Sequence, residues 1–277
     1  MNAAVSSAPA SLVKPKANVP ARSIALPVEH GAWGFLFEPL AAGMLVAPSA
    51  AAPFILLLVA GAFLTRQPLK FLLGDFLQKK YLPRTAVALR FALIFGGISL
   101  LGLFGSLVFA PIESFIPFII VAPLVVYLIA QDAARQTRQL LPELLAAAAL
   151  ASSITALALA GGFAYPAAFA LWAIMLARLI PSVLYVRSRL RLEKGKPFSR
   201  FTPVAAHILA FAFLGALYLS GFASILTLVM AAFLAGRAAF GLSRCRQILQ
   251  AKQLGIWEVV YGVIYALTVV FGCYLNL

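Results

Sequence analysis

Four ionisable residues of this 277-residue chain stand inside otherwise apolar runs: Glu38, Arg178, Glu258 and His207. A charge placed in hydrocarbon costs about 2.5–3.5 kcal/mol on insertion scales, so such a group turns toward a bundle interior or toward water. Glu38 belongs to the stretch Glu29-His30-Gly31-Ala32-Trp33-Gly34-Phe35-Leu36-Phe37-Glu38-Pro39. Helical spacing puts His30, then Trp33 or Gly34, then Phe37 or Glu38 along one side. Gly31 and Gly34 remove bulk there, which lets a helix or a ligand approach closely. Glu38 is eight residues from His30, about 12 Å along a helix, a long reach for a carboxylate seeking water. An interior-facing Glu38 is therefore expected, with a Trp belt and an internally paired carboxylate as the plainer reading.

Basic residues supply the complementary chemistry. Arg178, Tyr185 and Arg189 recur at i, i+7 and i+11, with Pro181 between them, and Arg187 and Arg191 stand at i, i+4. If the helix continues past the membrane, the second pair makes a compact anion-binding face. Arg66 and Lys70 form a parallel i, i+4 pair, interrupted by Pro68, which predicts a helix end or a kink. Glu258 and Tyr261 open the last apolar run, one turn apart, where Glu258 also suits a helix N-terminus. A snorkelling basic fringe is the plainer reading of the arginines. Carboxylates are too scattered to predict a metal site, and no cofactor is indicated. Cys245 and Cys273 lack metal-ligand spacing, and no CxxC, HExxH, GxSxG or P-loop pattern occurs.

The elements that must position these groups follow from composition. The chain is 63% hydrophobic and 11% charged, with a mean hydropathy of +1.00. A soluble domain carries roughly 25% charged residues, so most of this chain faces lipid. Apolar runs near spanning length occur at about 32–48, 50–65, 90–110, 115–131, 144–161, 164–185, 203–219, 222–240 and 257–276. Backbone groups cannot stay unpaired in hydrocarbon, so each run should be helical. The expected fold is an all-α polytopic bundle of about nine transmembrane helices, with membrane lipids as its partners.

Charge sets the expected orientation. The short links at Pro48-Ser49, Gly161-Gly162 and Ser220-Gly221 are uncharged, and the link around Glu113 carries no base. The tail, the other links and the adjoining helix ends hold the Lys and Arg residues, Arg237 near the end of the run 222–240 among them, apart from Arg178 within a span. The positive-inside rule then places the amino terminus in the cytoplasm, the carboxyl terminus outside and the basic loops inside. The net charge of +14 reads as topology and lipid contact, not nucleic-acid binding, since no soluble module is present. Residues 1–27 read as a disordered cytoplasmic tail and 28–277 as one transmembrane domain. A bacterial inner or plasma membrane is the expected location.

Glu29 to Trp33, with its HGAW sequence, Pro181 to Arg191 and Ala251 to Gly262 together resemble the YwiC-like family of bacterial membrane proteins. More coarsely, the architecture resembles UbiA-type intramembrane prenyltransferases. That resemblance implies nine helices around a cavity, with polar segments in the second and sixth links holding a prenyl diphosphate through Asp-bound magnesium. Here the corresponding segments, Thr65 to Asp75 and Tyr185 to Arg191, carry Arg and Lys where that family has Asp. Arg forks bind phosphate oxygens without a metal. The expected function is a cytoplasm-facing pocket for an anionic lipid or isoprenoid-type ligand, with a divergent metal-independent transferase as its enzymatic form. Arg66, Lys70, Arg187 and Arg191 are expected at the head group, and His30, Glu38, Arg178, Tyr185 and Glu258 as further pocket residues. A transporter or proton-coupled carrier is the alternative, followed by a non-catalytic assembly protein.

Overall fold

The computed structural model describes residues 20–27, 30–79, 81–134 and 139–275, without the side chain of His30. Every regular element among them is helical: α1 (Ala21–Ala25), α2 (His30–Val46), α3 (Ala52–Leu77), α4 (Pro83–Phe109), a 3-10 turn (Ile112–Phe115) leading into α5 (Ile116–Ala133), α6 (Leu140–Ala160), α7 (Tyr165–Glu193), α8 (Phe201–Leu219), α9 (Ile225–Gly241) and α10 (Ala251–Leu275). The nine helices α2–α10 follow the nine apolar runs in order. Seven are long and apolar enough to cross a bilayer; α2 and α9, at 17 residues each, are shorter.

The helices end where backbone chemistry requires. Pro53, Pro83, Pro117 and Pro166 sit in first turns, where a missing N–H costs nothing. Gly162 and Gly221 take φ of 85° and 78° in the tight turns after α6 and α8, a left-handed conformation that a Cβ disfavours. These turns belong to the uncharged links.

At the other end the helices outrun their apolar cores. α3 continues to Leu77 and α7 to Glu193, so Arg66, Lys70, Arg187, Arg189 and Arg191 are helical residues, not loop residues. Pro68 does not end α3. It lacks only the donor that would reach the carbonyl of Leu64, and the helix runs on past it. Arg178 likewise sits near the middle of the 29-residue α7, deeper than the end of an apolar run would place it. Residues 21–25, within the stretch expected as a tail, form α1, with Ile24 and Ala25 buried among α3 and α4. The rest of that tail through residue 19 lies outside the described residues, as do Lys80, Arg135 and Arg138.

The core is built around α6. Its Ala-rich sequence keeps side chains short, and residues 151–159 are all buried. Short side chains let α2, α5 and α7 pack onto α6, with Ala42, Ile154, Leu171, Ile174 and Met175 in one apolar cluster. Glycine does the same on α2: a Cβ at Gly43 would come within 2.7 Å of Leu157. Interhelical hydrogen bonds fix registers, among them Thr155 Oγ1 to the Ala168 carbonyl at 3.1 Å, Trp172 Nε1 to Ala148 at 3.1 Å, and the Tyr265 hydroxyl to Ile174 at 2.9 Å. In contrast α4 is largely exposed, and its Leu93, Leu100, Phe104 and Val108 make an apolar outer face suited to lipid.

Candidate functional site

The polar residues at the basic end are held by acids supplied one per helix. Arg66 on α3 makes a two-pronged contact with Asp132 at the end of α5, Nε to Oδ2 at 2.5 Å and Nη2 to Oδ1 at 3.1 Å. Arg84 grips Asp75 across the link from α3 to α4, and Thr85 Oγ1 also donates to Asp75, at 2.7 Å. Arg187 on α7 reaches Glu143 in the first turn of α6 at 3.1 Å. Arg189 lies 2.8 Å from Glu193, which also takes Arg246 at 3.2 Å, closing the link between α9 and α10 over the end of α7. Asp75, Asp132 and Arg189 are buried, so those pairs are sensitive to loss of a partner, whereas Arg187–Glu143 is about a third exposed and screened by water.

Further along the helix axes, α2, α7, α9 and α10 meet at a second polar layer. The Arg178 guanidinium lies 3.8 Å from Glu38 and 3.5 Å from Glu258. Its hydrogen bonds go elsewhere, to Ser182 Oγ and to the Glu258 carbonyl, the latter at 3.1 Å. Glu258 is also bonded by Arg237 of α9. Arg237 is held between two aromatic faces, 4.2 Å from the Tyr185 ring centre and 4.8 Å from that of Tyr261. This clamp locks α7, α9 and α10 together through cation–π contact. Two arginines thus face two glutamates, so the layer is neutral when all four are ionised.

A cavity of about 670 Å³ connects the two layers. It is lined by the first half of α2, the second half of α3, the end of α5, the start of α6, the second half of α7 and the start of α10. Alternating helix ends therefore converge, as an up-and-down bundle requires. Four cations line its outer part, Arg66, Lys70, Arg187 and Lys252, against the carboxylates of Asp132 and Glu143. Its inner part presents Glu38, Arg178 and Glu258, and Phe35, Phe63, Leu150, Val183 and Val259 supply apolar wall.

Six of the nine residues singled out from the sequence line this one cavity: Glu38, Arg66, Lys70, Arg178, Arg187 and Glu258. Two do not. Tyr185 is 3% exposed, turned away toward Arg237 and, edge-on, toward His207. Arg191 is on the outer side of α7, where its Nε donates to the Pro197 carbonyl at 2.6 Å. The i, i+4 pairing of Arg187 with Arg191 therefore does not form one anion face, because Arg187 turns to Glu143 instead. The side chain of His30, the remaining expected residue, lies outside the described residues. His207 is buried with Nδ1 2.7 Å from the Pro203 carbonyl, within its own helix.

Sequence reasoning missed Asp132, Glu143, Lys252 and Ser182 as lining residues. A signal was present: each scattered acid stands at the same helix ends as the bases, which predicts pairing across links. Among the described residues no three His, Cys, Asp or Glu side chains form a metal-holding group.

The YwiC-like protein family matches residues 26–160, from just before α2 to the end of α6. No curated protein and no solved structure matches the chain. The matched stretch contributes Glu38, Arg66, Lys70, Asp132 and Glu143 to the cavity. Arg178, Arg187, Lys252 and Glu258, and the motifs at 181–191 and 251–262, lie beyond it.

Proposed function

We propose that this chain, an integral membrane protein that is YwiC-like over residues 26–160, binds an amphipathic ligand with an anionic group in the cavity at its basic end. The observation that carries this reading is the meeting of charged and apolar lining in one space of about 670 Å³, within the roughly 300–1,000 Å³ usual for small-molecule sites. The outer lining has an excess of bases over acids, which favours an anion. Arg66 and Arg187 already hold Asp132 and Glu143, so they frame the site, while Lys252 carries no ion pair among the described residues. Lys252 is the cation we assign first to the anionic group, with Lys70 as a second cation of the same lining. The apolar wall would shield the rest of the ligand.

The positive-inside rule turns this opening to the cytoplasm of a bacterial plasma membrane. The resemblance to UbiA-type prenyltransferases implies the same placement, and the polar halves of α3 and α7 both reach the cavity. An isoprenoid ligand and a metal-independent transfer reaction are the narrower forms of the proposal. A carrier is the second reading, favoured by the buried Glu38, Arg178 and Glu258, since ionisable groups within spans mark transport pathways.

Mass spectrometry of lipids and other amphiphiles copurifying with the detergent-extracted chain tests the binding reading. A selectively retained anionic species, depleted in the Lys70→Ala, Lys252→Ala variant, is the expected result. Identical profiles in the two proteins would overturn the assignment.

A further inference from the structure

We infer that the inner end of the cavity is a subsite for a hydrogen-bond-donating group of the ligand, a hydroxyl or an ammonium, received by Glu38. The inference rests on the cavity being a ligand site, and it names which end of the ligand goes in first.

Glu38 is 7% exposed and lines the cavity, yet its Oε2 has no hydrogen-bond partner among the described residues. The charge of Glu38 is balanced, but its acceptor capacity is not. Arg178 approaches at 3.8 Å without a hydrogen bond: its Nη1 and Nη2 go to Ser182 and the Glu258 carbonyl, and its buried Nε has no partner among the described residues. Arg237, the second cation of this layer, bonds Glu258 from behind. A buried acceptor left without a donor loses its solvation without recompense. Glu38 lines the cavity, so a donor arriving there can complete it, and a hydroxyl can also accept from the unpartnered Arg178 Nε.

Packing holds Glu38 in that position. Its carboxyl lies over Gly262 of α10, where a Cβ would collide with it, and a Cβ at Gly34 would stand 3.3 Å from Oε1. Both neighbours are glycines, so the carboxylate has a bare notch between α2 and α10. Glu258 Oε2 is likewise without a hydrogen-bond partner and lines the same space. An apolar tail end pushed inward would meet these two acceptors and bury them further, at a cost. A donor end would satisfy them.

The distance between the layers sets the ligand's length. Lys252 and Glu258 are six residues apart on α10, about 9 Å along the axis. An anionic group at Lys252 and a donor at Glu38 thus suit a molecule with two polar ends joined by a short aliphatic chain.

Isothermal titration of the full chain in neutral maltoside detergent tests this with three probes of one chain length: octyl phosphate, 8-hydroxyoctyl phosphate and 8-aminooctyl phosphate. The hydroxyl or the amino probe should bind roughly ten-fold tighter than octyl phosphate, about 1.4 kcal/mol. Glu38→Leu should abolish that preference, so that the three probes bind it alike. Octyl phosphate binding as tightly as both others, in the unaltered protein, overturns the inference and leaves the cavity reading intact. A preference that survives in folded Glu38→Leu overturns the role of Glu38. Failure of all three probes to bind overturns both the inference and the binding function. The comparison of probes on the unaltered chain stands even if Glu38→Leu does not fold.

Discussion

Arg178 and Glu38 face one another at 3.8 Å across α7 and α2, both almost wholly buried, as a charge pair that makes no hydrogen bond. The pair is one edge of the neutral layer that Glu258 and Arg237 complete. Breaking such a set by removing one member leaves an uncompensated charge in a dry place. Arg178→Ala should lower stability by about 3–5 kcal/mol, read as thermal or denaturant unfolding in detergent. Arg178→Ala combined with Glu38→Gln should recover part of that loss. Equal stability of Arg178→Ala and the unaltered chain would show that the layer contributes nothing.

Gly262 tests the notch between α2 and α10. Gly262→Ala puts a methyl into the space of the Glu38 carboxyl, so it should destabilise the chain by about 1–3 kcal/mol, the usual cost of overpacking. Shortening Glu38 to Ala in the same protein should remove most of that cost. A double-mutant cycle reads the coupling, and additive effects would contradict the contact.

The clamp on Arg237 separates ring from hydroxyl. Tyr185→Leu removes the face 4.2 Å from the guanidinium and should cost about 0.5–2 kcal/mol beyond the loss of area. Tyr185→Phe keeps the face and should lie close to the unaltered chain. Unfolding midpoints of the two variants check the order.

Two native cysteines check the orientation. Cys245 lies between α9 and α10 at the basic end, and Cys273 lies near the end of α10; both are exposed. A membrane-impermeant maleimide on intact cells should label Cys273 in the Cys245→Ser variant. It should reach Cys245 in the Cys273→Ser variant only after the membrane is opened. The reverse pattern would invert the topology.

How much of this was legible beforehand differs by level. The nine helices were, because apolar length and uncharged links such as Gly161-Gly162 are one-dimensional signals. Their extents were not: α3 runs eleven residues past Arg66 to Leu77, since charged residues with good helix propensity continue a helix that hydropathy alone would end. Glu38, Arg178 and Glu258 could be found because a charge in an apolar run is conspicuous. That Arg66 meets Asp132, 66 residues away, could not, because pairing between helices depends on their rotation and order in the bundle. The same rotation separates Arg187, on the cavity, from Arg191, outside it, although sequence spacing put them on one face. The Tyr185 hydroxyl and ring looked available for a ligand, and the close approach of α9 at Gly241 and Arg237 took them instead.

The proposed ligand occupies the space between the two polar layers. Filling that space tests this most directly. Ala146→Trp places an indole in the cavity from α6, and Leu100→Trp places the same group on the outer face of α4 as a control. Native mass spectrometry of the detergent-released proteins should show a bound anionic amphiphile on the unaltered chain and on Leu100→Trp, and none on folded Ala146→Trp. The same bound species at the same occupancy in all three would contradict the account.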